Sequence, residues 1–418
     1  MNLIIVAPHF PPSALPPAQR VRLLVRNLDS LGVQTKVITV PSKYREEKED
    51  SWMLELAGED FELIQTEALH YKWTRKLGIG DLGLRMLPFL FFTLLKHCQK
   101  KSTDFVLYPV PPWYILLIAP IIKKLTKVPY AIDFIDPWVA LDKDEVAKGI
   151  KQRLSNWIAN KSEAFVCQNA DIIYAVSAGI NEGLTQRHPI LKKIPQYAVP
   201  YGAEEKDFKT IDVKENNRND LLIRYIGAVW EDAYPVVDSL LHAFSKVKSS
   251  YKAEFIGTSY AGEELAEPQL TETINKYELG SRIEEDPYRK PYKEAVKLQM
   301  EADLLLLFGG MKSYYAASKL FGLIISKKPF FAFLHKDSFP AKFLKEVNYP
   351  FLVQYSNKNN ELPKFQIEEL ISVIKQLITS VNRNEIFEFP KNMIEKHTAL
   401  GMTNSFIEPM QEFIRSNN

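Results

Sequence analysis

The sequence holds only two cysteines, Cys98 and Cys167, in 418 residues, and its histidines stand at no metal-ligand spacing. That scarcity excludes a disulfide framework and gives no sign of a metal site, so a reducing, cytoplasmic setting is expected. An excess of charge of one sign is also missing. Lys+Arg 53 against Asp+Glu 51 leaves a net charge of +2, without the basic surplus of a dedicated nucleic-acid binder. Long apolar runs are absent too. The longest, Leu87–Leu95 and Trp113–Ile122, fall short of the roughly 18 consecutive apolar residues of a membrane span. Met1–Pro8 is apolar but too short for a secretory core and has no basic residue before it, so a buried strand is expected there.

What is present is an ordinary globular composition, 46% hydrophobic and 25% charged, with length for two domains of roughly 100–200 residues each. Asn2–Ala7 is a β-branched run without alternation, as in a strand covered on both faces. A loop with five prolines, Pro8–Pro17, follows. Val21, Leu24, Val25, Leu28 and Leu31 then recur at helical spacing, Gly32 closes the helix, and Val33–Val40 is a second strand. This βαβ pattern continues with strands at Phe61–Gln65, Asp104–Tyr108, Pro129–Ile135, Asp171–Val176 and Ile194–Val199. Helices are expected at Leu82–Lys101, Trp113–Leu125 and Glu145–Asn169.

After a polar stretch the pattern restarts. Strands are expected at Leu221–Gly227, Ala253–Gly257, Arg282–Glu285, Ala302–Phe308 and Pro329–Phe333. Helices are expected at Pro235–Lys248, Leu265–Leu279, Pro291–Glu301, Ser318–Ser326 and Phe365–Thr379. Alternating strands and helices, used twice, predict an α/β protein of two doubly wound, Rossmann-like domains. The boundaries expected are 1–205, a linker at 206–220, and 221–402, with an amphipathic segment at 403–418 that is free to return to the first domain. In such sheets ligands bind beyond the carboxyl ends of the strands, where strand order reverses.

Several loop segments resemble one family in its order along the chain. Pro8-His9-Phe10-Pro11-Pro12-Ser13, with Ala18-Gln19-Arg20 and Val37-Ile38-Thr39, resembles the opening of the family 4 retaining glycosyltransferases with the two-Rossmann GT-B fold. Asp133-Phe134-Ile135-Asp136-Pro137-Trp138 is similar to their "D-hydrophobic-R-D-P-W" segment. Asp171–Ser177 and Pro200-Tyr201-Gly202-Ala203 resemble later ones, as do Ser318-Lys319-Leu320-Phe321 and Lys328-Pro329. The chain departs from the pattern at Ala14-Leu15-Pro16-Pro17, where a Gly pair is usual. It departs again at Ile135, at Ala228-Val229-Trp230-Glu231 in place of phosphate-binding Arg and Lys, and at Gly322 in place of the ribose-binding glutamate.

The resemblance implies GT-B halves facing across a cleft and transfer of a sugar from a nucleotide-sugar to a glycan, lipid-linked or small-molecule acceptor. It further implies retention, no metal and no cofactor, the nucleotide-sugar being a substrate, and a place in polysaccharide biosynthesis. Ser318 and Lys319 are the donor-phosphate contacts that the resemblance implies, through backbone N–H groups at a helix start and the Lys319 ammonium; without it, the residues read rather as an N-cap beside a solvated lysine. Gly227 and the Gly309-Gly310 pair would shape the donor pocket or simply turn the chain. Asp136 is the catalytic candidate, against the alternative of an Asp-Pro turn packed by Trp138. Ser13, Arg20 and His9 are expected at the acceptor or phosphate loop. The apolar run in 84–101, with Lys96, His97, Lys100 and Lys101, is compatible with docking on the inner face of a membrane, or with a core helix carrying a charged end. The departures at Gly322 and Ala228 motivate a second function, a non-catalytic GT-B-fold partner of an active transferase.

Overall fold

The computed structural model describes residues 1–99, 102–139, 150–213, 218, 220–261, 263–356, 366–385 and 387–417. The chain divides into two compact units, Met1–Pro200 with Ala399–Asn418, and Tyr201–Thr398. Each is built on one wholly parallel sheet.

The first unit has seven strands: β1 (Asn2–Val6), β2 (Gln34–Thr39), β3 (Glu62–Gln65), β4 (Phe105–Val110), β5 (Tyr130–Phe134), β6 (Ile172–Ala175) and β7 (Gln196–Ala198). Their spatial order is β3-β2-β1-β4-β5-β6-β7. The central strands β4, β5 and β6 are buried at every position, which is why they read as unbroken apolar runs. The edge strand β3 carries exposed Glu62 and Gln65, which discourages pairing with another chain. The connecting helices are α1 (Pro16–Leu28), α2 (Ser51–Ala57), α3 (Tyr71–Thr74), α4 (Leu82–His97), α5 (Ala119–Thr126), α6 (Ile150–Gln168) and α7 (Ala178–Arg187).

The second unit has six strands: β8 (Leu221–Ile226), β9 (Tyr251–Ile256), β10 (Ile283–Asp286), β11 (Leu304–Phe308), β12 (Phe330–His335) and β13 (Leu352–Tyr355), in the order β10-β9-β8-β11-β12-β13. Its helices are α8 (Glu205–Lys209), α9 (Tyr234–Lys246), α10 (Thr271–Lys276), α11 (Tyr292–Glu301), α12 (Leu320–Ile325), α13 (Phe339–Glu346), α14 (Gln366–Asn382) and α15 (Lys391–Glu395). The last helix, α16 (Ala399–Asn417), packs in the first unit. There Met402, Phe406 and Met410 join the core of Leu24, Leu28 and Tyr174, and the Tyr174 hydroxyl donates to the Phe406 carbonyl at 2.8 Å.

Several elements depart from expectation for local reasons. Trp113–Ile118 is a 3-10 helix and α5 starts only at Ala119, because Pro120 has no N–H and fits only a first helical turn. The helix expected at Leu265–Leu279 shrinks to Thr271–Lys276. Pro268 restrains the residue before it, and the Glu285 carboxylate takes the N–H groups of Gln269 and Leu270 at 2.6 and 2.9 Å. The expected linker contains α8, whose Asp207 is buried and accepts from the Tyr292 hydroxyl at 3.0 Å. Part of that stretch therefore belongs to the body of the second unit; residues 214–217 and 219 lie outside the described residues. The expected helix at Glu145–Asn169 is seen as Ile150–Gln168, with 145–149 also outside them, as are Lys100, Lys101 and Phe365.

Candidate functional site

Strand order reverses once in each sheet, between β1 and β4 in the first unit and between β8 and β11 in the second. Ligands of doubly wound sheets collect at the carboxyl ends of such strand pairs.

In the second unit, β8 ends at Ile226 and Gly227 follows with φ +143. A methyl group there would lie 1.7 Å from the Lys319 Nζ and 2.7 Å from its Cε. The positive φ is what favours glycine here, and the end of the lysine side chain fills the space beside its Cα. The ammonium donates to the Ile226 carbonyl and sits 4.6 Å from the centre of the Tyr225 ring. No carboxylate pairs with it among the described residues. Burial, with the charge of Arg289 adding, pulls Lys319 from its ordinary 10.5 down to about 8. A cation held this way gains most from an anion arriving beside it.

The loop after β11 closes the same place. A Cβ on Gly310 would strike the Asp232 carboxylate at 2.1 Å, and one on Gly309 would press the Tyr315 ring at 3.0 Å. The Gly310 carbonyl accepts from the Tyr355 hydroxyl at 2.7 Å. Both glycines are therefore close-approach positions. Ser318 is exposed in the turn before α12, which begins at Leu320 with Lys319 as its N-cap and no side-chain capping bond. The capping alternative for Ser318 is thereby set aside, and Lys319 is held against the strand end rather than solvated. Trp230 and Tyr260, both half-exposed with ring centres 4.1 Å apart, stand on the loops after β8 and β9.

In the first unit, the loop after β1 meets a carboxylate that sequence reasoning missed. His9 Nδ1 lies 2.8 Å from Glu47 Oε1, and the Ser13 hydroxyl donates to the same oxygen at 3.0 Å. Burial works to raise the Glu47 carboxyl, but the His9 bond and charge and the Ser13 hydroxyl outweigh it and bring it to about 2. His9 and Glu47 belong to the wall of a 230 Å³ pocket that also includes Arg45, Asp81, Arg85 and Pro112; Ser13 stands behind Glu47, outside that lining. Two buried guanidinium Nε–H groups, on the lining residues Arg45 and Arg85, have no hydrogen-bond partner among the described residues. Asp81 caps α4 by accepting the Leu84 N–H at 2.9 Å; burial raises its carboxyl against that bond and the charges of His9 and Arg85. A larger groove of 660 Å³ runs along α14, but it lies at the amino end of the edge strand β13, away from the strand-order reversal of its own unit.

Arg20, expected to touch phosphate or acceptor, requires correction. It is wholly buried and grips Asp133 through Nε and Nη2 at 2.6 and 2.9 Å, while Nη2 also donates to the Val199 carbonyl at 2.7 Å. Its guanidinium covers the Phe406 ring at 5.1 Å. Both charges are spent inside the core between α1, β5 and α16. Asp136, one strand beyond the reversal, is exposed after β5, and its carbonyl accepts from the Trp113 indole at 3.3 Å. In the stretch expected to meet a membrane, Met86, Leu90 and Leu94 of α4 are buried while Pro88 and Phe92 are exposed, and Lys100 and Lys101 lie outside the described residues. No described helix is by itself long and apolar enough to cross one.

The missed residues were illegible for a simple reason. Glu47 lies in the charged run Arg45–Asp50, where no periodicity sets direction, and Asp232, Arg289 and Tyr315 lie in loops of no regular period. Asp81 alone had a signal, an acidic cap directly before an apolar helix.

Residues 17–202 match the glycosyl transferase 4-like domain. None of the curated proteins matches the sequence. Among solved structures, the chain is similar to sucrose-phosphate synthase from Thermosynechococcus elongatus, with TM-score 0.66, 11% identity and 99% of each chain covered. A glycosyltransferase from Rickettsia africae gives TM-score 0.60 at 15% identity, covering 100% of this chain and 99% of that one. Anabaena HepE, solved with UDP and glucose, gives 0.62 at 11% identity over 99% and 100%. At such identities the structural likeness is one of fold. Residues 17–202 thus form a glycosyl transferase 4-like domain, and the chain as a whole has the GT-B-type fold of these solved structures, two Rossmann-like α/β units.

Proposed function

We propose that the protein transfers a sugar from a nucleotide-sugar donor to a glycan, lipid-linked or small-molecule acceptor, with retention and without a metal or cofactor. Donor binding falls to the second unit. The observation that supports this most is Lys319, an ammonium without a carboxylate partner laid on Gly227 at the strand-order reversal. A diphosphate there would meet a positive group at the point where leaving-group charge grows, which lowers the barrier without a metal. Gly309, Gly310 and the Ser318 turn would form the rest of the wall.

Acceptor binding falls to the first unit. The unpaired Nε–H groups of Arg45 and Arg85 are donors, and Glu47 and Asp81 are acceptors, a mixture suited to sugar hydroxyls. Asp136 is the candidate for orienting or deprotonating the acceptor. The setting proposed is the cytoplasm.

Calorimetry against UDP-, GDP-, TDP- and CMP-sugars tests the reading, and the UDP bound to HepE makes the UDP-sugars the first choice. Lys319→Ala should weaken donor binding by about tenfold or more, whereas Asp136→Ala should spare binding and reduce turnover. If no nucleotide binds at millimolar levels, transfer fails as a function and the non-catalytic partner suggested by Gly322 and Ala228 replaces it. Equal loss of binding in both variants would refute the division of roles.

A further inference from the structure

Residues 69–80 of the first unit read Leu-His-Tyr-Lys-Trp-Thr-Arg-Lys-Leu-Gly-Ile-Gly and contain no acidic side chain. They form α3, continued by a 3-10 turn at Arg75–Leu77 that Gly78 closes with φ +76. The segment is pinned from beneath. Thr74 is buried, and the Ile79 N–H donates to its carbonyl at 2.9 Å. The backbones of Leu69 and Arg85 join at 3.0 Å, and Arg75 pairs with Glu46 at 2.6 Å.

Its outer side is apolar and basic together. Leu77 is 79% exposed and Trp73 73%, two of the three most exposed large apolar side chains described, and Leu69 and Ile79 are exposed nearby. Lys72 and Lys76 are exposed and have no carboxylate partner among the described residues; the Lys76 ammonium stands 5.7 Å from the Trp73 ring centre. Single exposed apolar residues are ordinary, but four in twelve positions on one anchored turn are not.

We infer that this turn docks the protein on an anionic lipid surface. Tryptophan favours the boundary between headgroups and acyl chains, leucine and isoleucine insert just below it, and flanking lysines reach lipid phosphates. The turn by itself is too short to span a bilayer, and Met86, Leu90 and Leu94 of the following α4 are buried in the protein, so the contact inferred is peripheral. Gly80 and Asp81, directly after it, line the first-unit pocket, which docking would hold at the level of the headgroups.

Co-sedimentation of the full chain with vesicles tests this without any nucleotide, so its outcome is independent of the transfer reaction. Vesicles of phosphatidylcholine with phosphatidylglycerol should bind the protein, less so as salt rises, and vesicles of phosphatidylcholine alone should bind it weakly. Paired Trp73→Ala and Leu77→Ala substitutions should lower partitioning by about tenfold or more. Lys72→Gln and Lys76→Gln should each cost about fivefold on phosphatidylglycerol vesicles only. All four positions are exposed, and an unchanged melting temperature will show that the variants fold. Absence of binding to either vesicle overturns the inference, as does binding that all four substitutions leave intact. Loss of binding on Trp157→Ala of α6 instead, another exposed tryptophan, overturns it equally.

Discussion

Two cations near the strand ends, Arg20 wholly buried in the first unit and Lys319 half-buried in the second, face opposite circumstances. Arg20 in the first unit is matched atom for atom by Asp133 and the Val199 carbonyl, with an aromatic ring against it. Lys319 in the second has one carbonyl, one ring and, among the described residues, no carboxylate. A buried charge must be compensated, but a compensated one has nothing left to offer a ligand. Arg20 therefore locks three elements together, and Lys319 is available for an incoming anion. The two doubly wound sheets share a strand order of the same kind, so the difference comes from which loop side chains reach the strand ends.

Breaking the Arg20 pair should give the largest effect. Asp133→Asn or Arg20→Met leaves one charge uncompensated in the core and should cost about 3–5 kcal/mol in urea unfolding. Replacing both together with apolar residues should cost less than either alone. At a temperature where the single variants remain folded, nucleotide affinity should be unchanged; a specific loss of affinity would return Arg20 to the ligand site.

Next comes Gly227→Ala, which would force the new methyl onto Lys319 at a backbone angle that L-residues rarely adopt. A loss of about 1–3 kcal/mol in stability is expected, together with weaker donor binding. If unfolding shows no change, residue 227 does not hold its positive φ in solution.

The smallest effect sharpens the contrast through pH. The Lys319 pKa of the folded chain, about 8, lies below the unfolded 10.5. The unfolded chain therefore binds more protons between these values, and the stability penalty of burying this group is relieved as pH rises through that window. A bound diphosphate favours the protonated form, so donor affinity should fall above about pH 8 and binding near that pH should take up a proton. Calorimetry in two buffers of different ionisation enthalpy measures the uptake. Lys319→Met should abolish it, and persistence of the uptake would assign it to another group.

The fold was largely legible before any coordinates. Buried parallel strands need apolar residues on both faces, so Ala302–Phe308 and Pro129–Ile135 announced themselves, and two successive βαβ series implied two sheets. The helix at Leu265–Leu279 misled because its apolar spacing spoke louder than Pro268, and the capture of two N–H groups by the distant Glu285 was invisible in sequence. Among site residues, Gly227 and Lys319 were identified separately, but their contact across 92 positions was not.

By itself, then, the sequence determined the class of fold and the two-unit plan, and it pointed to the loops at the strand ends as candidate ligand positions, because backbone periodicity and turn chemistry are local. Only the tertiary structure decided which charges are spent and which are available. Whether an arginine meets an aspartate 113 residues away depends on long-range packing, and that is why Arg20 became a core residue while Glu47, unremarked in a charged run, entered the pocket.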